Sequence, residues 1–210
     1  PRSGASLSMK IYHHYSVYGF SNIYTIVNES LKKAIIVDPS EITPTMIERI
    51  EQNELDLCGI LVTHDHIHHV NGLSTIMKIY SPTIYASDAK LLGFQCRKLR
   101  DGDAFSEAGF DITAIAVPGH SQDSIVFLME GYFLFTGDEL HAGVIGKTNS
   151  VFNTNALIAR IKQKLFCLPE STLIFPGHGP PSTIGTEKSA NISFQEGFAE
   201  RIRPNYDFFV

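Results

Sequence analysis

The sequence predicts an α/β fold in which two β-sheets pack together and outer helices cover them. Short apolar runs rich in Ile, Val, Tyr and Phe recur along the chain at strand length. They come in runs with helical segments between only some of them, which suits two covered sheets better than a regular βαβ alternation. A balance of 43% hydrophobic to 19% charged residues in 210 supplies one large core, and no shift in composition divides it.

The expected strands are Ile23 to Val27, Ala34 to Val37, Gly59 to Val62, Ile112 to Val117, Ile125 to Met129, Phe133 to Phe135 and Leu173 to Phe175. The polar stretch Asn28 to Lys33 has hairpin length, so the first two strands are expected to be antiparallel. Thr43-Pro44 is a helix start signal ahead of Met46, Ile47 and Ile50. Apolar residues at helical spacing run from Ala156 through Leu157 and Ile161 to Leu165, with Asn153 as the expected cap. The tail predicts one short helix around Phe194, Phe198 and Ile202, then an apolar end packed on the body. Residues 1–8, small and polar ahead of Met9, are set aside as a tag remnant, leaving one domain over 9–210.

A net charge of −5 without a basic run excludes an electrostatic footprint for nucleic acid. Cys58, Cys96 and Cys167 are odd in number and never paired as CxxC, which argues against a disulfide framework and for a reducing compartment. No apolar run of about 18 residues is long enough to span a bilayer. The expectation is a soluble, cytoplasmic protein that makes no membrane contact.

Histidines carry most of the functional signal. Thr63-His64-Asp65-His66-Ile67-His68-His69 follows one apolar run and precedes Asn71-Gly72. Pro118-Gly119-His120, Thr136-Gly137-Asp138 and Pro176-Gly177-His178-Gly179 each follow another. One histidine after one strand is ordinary, but four such loops in one chain place imidazole and carboxylate donors where strand ends converge, and these groups suit Zn²⁺ or Fe. His13, His14 and His141 stand apart from this pattern, and His13 and His14, beside a first strand with no ligand context, are read as structural or surface residues.

Taken in order, these motifs resemble the metallo-β-lactamase superfamily, whose pattern is HxHxDH followed by a distant His, a distant Asp and a final His. The resemblance spans nearly the whole chain and implies a four-layer αββα sandwich of two mixed sheets. Phe135-Thr136-Gly137-Asp138-Glu139-Leu140, the Ala142 to Thr148 block and Pro176-Gly177-His178-Gly179-Pro180 look like the type II glyoxalase branch, in particular its short bacterial members without a helical carboxy-terminal extension. By that resemblance His64, His66 and His120 hold a first metal, Asp138 bridges, and His69 with His178 holds a second. His68 stands where the family has Asp, and is expected to donate in its place.

The resemblance implies two divalent ions, Zn or Fe, and hydrolysis of a thioester or related ester by a metal-bound hydroxide. Asp138, His64 and His66 would be the catalytic centre, and Lys147 would hold a carboxylate of a small-molecule substrate, possibly a glutathione thioester. Two other readings remain open at this stage. One is a non-hydrolytic diiron protein that binds dioxygen or another diatomic as a sensor with a protein partner. The other is a mononuclear iron dioxygenase acting on persulfides through His64, His120 and Asp138.

Overall fold

The structure, a computed structural model, describes residues 8–201. Residues 1–7 of the suspected tag, and the expected end of the tail from Ile202 onward, lie outside the described residues. One sheet places its six strands in the order Met9–Tyr15, Asn22–Asn28, Lys33–Val37, Asp56–Leu61, Thr83–Ala86 and Arg97–Lys98. The first three pair antiparallel and the rest parallel. The other sheet runs Ser182–Thr183, Leu173–Pro176, Phe133–Gly137, Ile125–Met129, Phe110–Ala116 and Ala104–Glu107. Within it only Phe133–Gly137 and Leu173–Pro176 pair parallel.

Period-two alternation makes both faces of the central strands apolar. Tyr24, Ile26, Ile35 and Val37 face Phe110, Ile112, Phe127, Met129 and Phe135 in the core between the sheets. Ile23, Val27, Ala34 and Ile36 point the other way, onto Met46 and Ile50 of helix Pro44–Gln52 and Leu73 and Ile76 of helix Leu73–Ile79. On the outer face of the second sheet, Val126, Leu134 and Ile174 meet Leu157 and Ile161 of helix Val151–Lys164. Three apolar layers between four of secondary structure make the expected αββα sandwich.

Thr43 caps its helix as expected, its side chain accepting from the Met46 N–H. The cap of the later helix is Ser150 rather than Asn153: Asn153 sits inside the first turn and donates its N–H to Ser150 Oγ. The tail forms a 3₁₀ turn at Ile192–Phe194 and a separate turn at Phe198–Arg201, not one helix, because Gln195 takes extended backbone between them. No helix among the described residues is long and apolar enough to cross a membrane. Cys58, Cys96 and Cys167 are all free thiols.

Candidate metal centre

Five strands deliver polar side chains to one edge of the sandwich. Lys33–Val37 and Asp56–Leu61 run parallel, so Asp38 and His64 leave the same end of the first sheet. Phe133–Gly137 and Leu173–Pro176 are also parallel, and Phe110–Ala116, two antiparallel steps away, shares their direction. His120, Asp138 and His178 therefore emerge together. His69 comes from the single turn Ile67–Val70, for which His66 is the residue before the first helical position.

Asp138, 4% exposed, is the hub. Its Oδ2 lies 3.4 Å from His69 Nε2, 3.6 Å from His120 Nε2 and 4.0 Å from His64 Nε2. Its Oδ1 lies 2.8 Å from His178 Nδ1 and 3.4 Å from His141 Nε2. His66 Nδ1 stands 2.9 Å from His120 Nε2. Three sets of donor atoms each fall within 4.8 Å of one another: His64, His66 and His120; His64, His69 and Asp138; and Asp138, His141 and His178.

The far side of each ring explains which nitrogen is left for the centre. A carboxylate or carbonyl only accepts, so the ring nitrogen facing it carries the proton. His69 Nδ1 donates to Asp38 Oδ2 at 3.1 Å, His178 Nε2 to the Gly19 carbonyl at 3.0 Å, and His120 Nδ1 to the Lys147 carbonyl at 2.7 Å. Thr63 Oγ1 donates to Asp38 Oδ2, and so accepts from His64 Nδ1 at 3.0 Å. Outer partners of this kind fix the tautomer and orientation of metal-binding imidazoles. The inward Nε2 atoms of His64 and His69 are buried with no hydrogen-bond partner in the protein. A buried polar atom left alone is costly, and a cation at the centre removes that cost.

Charge follows the same geometry. Burial penalises the cationic form of His64 and, with the charge of nearby His69, holds it well below its ordinary value. Burial also opposes a charged His69, but the Asp138 and Asp38 carboxylates around its ring win and push it up to about 10. For Asp138 burial favours the acid, yet the His69 charge and the hydrogen bonds from His141, His178 and His69 hold it well below the usual carboxylate range. Asp138 and Asp38 together stabilise positive charge in the site.

A family model for the metallo-beta-lactamase superfamily matches residues 17–94. The probable polyketide biosynthesis zinc-dependent hydrolase BaeB of Bacillus velezensis is 34% identical over 185 residues, covering 82% of this chain and 80% of that protein. The hydroxyacylglutathione hydrolase GloC of Haemophilus influenzae is 29% identical over 83% of this chain and 93% of its own length. The crystal structure of ETHE1 from Myxococcus xanthus superposes with a TM-score of 0.75 at 26% identity, covering 88% of this chain and 84% of that one.

The chain belongs to the metallo-beta-lactamase superfamily. Of the side chains that the superfamily pattern singles out here, His64, His66, His69, His120, Asp138 and His178 come together as described. His68 does not join them: it shares none of the three donor sets. Its exposed ring lies 5.5 Å from that of Tyr18 and rests on Gly19, where an added Cβ would meet His68 Nδ1 at 2.3 Å. His141, which the sequence pattern set apart, is beside Asp138 instead. Its position three residues past the Asp was the available signal.

Asp38 was also missed as a site residue. It accepts from the Thr63 N–H at 2.8 Å and from Thr63 Oγ1 at 2.7 Å, besides holding His69. An acid directly after an apolar strand is the same placement that marks Asp138. His13 bonds Asn22 Oδ1, as expected of a structural residue, and Asn22 in turn donates to the Pro176 and Gly179 carbonyls that bracket His178. Lys147 is exposed and lines a cavity of about 150 Å³ with His66, His68, His120, Asp138 and His178.

Proposed function

We propose that this protein is a metal-dependent hydrolase of thioesters or related esters. The observation that carries the reading is Asp138, one buried carboxylate whose two oxygens face different sets of histidines. That arrangement suits two divalent cations sharing a ligand, and imidazole with carboxylate accommodates zinc or iron. Held there, the cations would supply a water nucleophile at neutral pH and Lewis acidity toward a carbonyl.

The chain's own residues set the rest. Asp138 would be the ligand shared by the two positions, with His64 facing its Oδ2 and His66 grouped with His64 and His120. Asp38 and the carbonyls of Gly19 and Lys147 hold protons on the outer nitrogens and leave the inner ones as donors. A cavity of about 150 Å³ is small beside pockets that enclose whole ligands, which run to several hundred Å³. It takes the reacting group, and the remainder of the substrate lies across the mouth, where exposed Lys147 is placed to meet a carboxylate.

Similarity to a hydroxyacylglutathione hydrolase supports a small glutathione thioester as the substrate class, and similarity to a zinc-dependent hydrolase supports zinc. The test is metal analysis of protein purified with and without air, together with assay on S-lactoylglutathione and simpler acyl thioesters. Two ions per chain with thioester cleavage is the expected result. Two irons with a visible charge-transfer band and no cleavage would move the reading to a dioxygen-binding centre. A single iron would move it to the persulfide dioxygenase.

A further inference from the structure

We propose that His141 is a ligand of the second metal position and does the work that the family gives to the carboxylate replaced here by His68. The inference rests on the two-metal reading and adds to it the identity of one donor. Three observations carry it.

His68 borders the same cavity, but it shares no donor set with the other ligands and its ring makes other contacts. It is exposed, its ring lies beside Tyr18 and on Gly19, and its carbonyl accepts from Ser21 Oγ at 2.8 Å, tying this turn to the loop before Asn22. Removing it from the centre leaves Asp138 and His178, with His69 on the far oxygen, which is a thin set for a four-coordinate ion.

His141 fills that gap. Its Nε2 lies 3.4 Å from Asp138 Oδ1, the same oxygen that meets His178 Nδ1, and the rings of His141 and His178 are 5.9 Å apart. Its side chain is 12% exposed. Asp138, His141 and His178 together offer three donor atoms within 4.8 Å of one another.

The backbone under His141 is held for this. Leu140–His141 pairs with Val144–Ile145 in a two-stranded hairpin, the Leu140 carbonyl accepts from buried Thr136 Oγ1 at 2.7 Å, and the Gly143 N–H donates to buried Glu187 Oε2 at 2.9 Å. Glu187 is itself fixed by Asn191 Nδ2 at 2.7 Å. Ligands seated on rigid elements keep their geometry better than ligands on free loops. With His141 in place the second position is mainly imidazole, and among the described residues Asp138 supplies its only carboxylate.

The experiment loads metal-free full-length protein with Zn²⁺ against a competing chelator and counts ions by mass spectrometry for wild type, His141→Phe, His141→Gln and His68→Ala. Melting of the metal-free proteins reports whether each variant folds. The expected result is two ions in wild type and in His68→Ala. In both His141 variants one ion stays tight, and the other weakens by at least the 10–100-fold that loss of an outer hydrogen-bond partner costs. Two ions of unchanged affinity in either folded His141 variant overturn the assignment while leaving the two-metal reading intact. Loss of the second ion in His68→Ala overturns it equally, returning the role to position 68. A single ion in wild type overturns the two-metal reading itself, and this assignment with it.

Discussion

At the scale of single residues, the centre depends on how protons are distributed over rings whose surroundings leave little choice. Asp138 is the one acid in contact with all the inward-facing donors except His66. Asp138→Ala leaves only neutral imidazoles to hold dications in a buried site, and the purified variant is expected to contain almost no metal. Metal content equal to wild type would contradict the bridging role. Away from the centre, burial lowers His14 to about 4, helped by the Arg49 charge and by His13, and its Nε2 is buried without a partner. Between pH 6.5 and about 4 the unfolded chain therefore binds more protons at this position than the folded one, so His14 withdraws stability as pH falls through that window. In denaturation curves across that range, wild type should lose more stability than His14→Phe does. Parallel losses would mean that His14 titrates normally in the fold.

Elements reach the centre through tight backbone passages, and two glycines show what these require. Gly177 follows the strand that delivers His178, and an added Cβ would lie 2.5 Å from Asp138 Oδ1 and 2.6 Å from His69 Cε1. Asp38 fixes the His69 ring, and the Asn22 and Tyr24 side chains both bond the Pro176 carbonyl and hold the backbone beside Gly177, so the clash is not easily relieved by either. Gly177→Ala is expected to weaken metal binding about 10–100-fold, comparable to losing an outer partner of a ligand, while the metal-free melting temperature falls little. Affinity unchanged in a chelator competition would show that the loop can shift. Gly19 combines a positive φ of 73° with close approach to the His68 ring, and its carbonyl orients His178. One residue thus holds His178 toward the centre and His68 against the loop.

For the whole molecule, the two sheets have separate helical covers and share one inner core, and the centre lies where both present strand ends. Cations held there would tie Asp138, His120 and His178 of the second sheet to His64 and His69 of the first. Metal that binds only the folded state stabilises it by about 4 kcal/mol at a thousandfold excess over Kd, and each kcal/mol moves Tm by roughly 2–4 °C in a chain of this length. Chelated protein should therefore melt lower, and the gap should widen with added metal. A Tm indifferent to both would place no cation between the sheets. What the sequence determined by itself was the periodic part: strand-length apolar runs, the Thr43 and Pro44 start signal, and ligand-type residues directly after strands. These depend on local spacing, and they were enough to expect two sheets covered by outer helices and a histidine-rich centre, while the four-layer αββα order came from the family resemblance. The replacement of Asp by His at 68 was equally plain, but its consequence was not, since neighbours in sequence do not reveal which way a ring turns. Only the tertiary structure seated His68 on Gly19, brought His141 to Asp138 through a two-residue hairpin, and set Asp38 behind His69 across 31 positions of chain. The first and last of those contacts join loops far apart in sequence, and the second depends on the hairpin Leu140–His141 with Val144–Ile145, so backbone geometry beyond local spacing decides them.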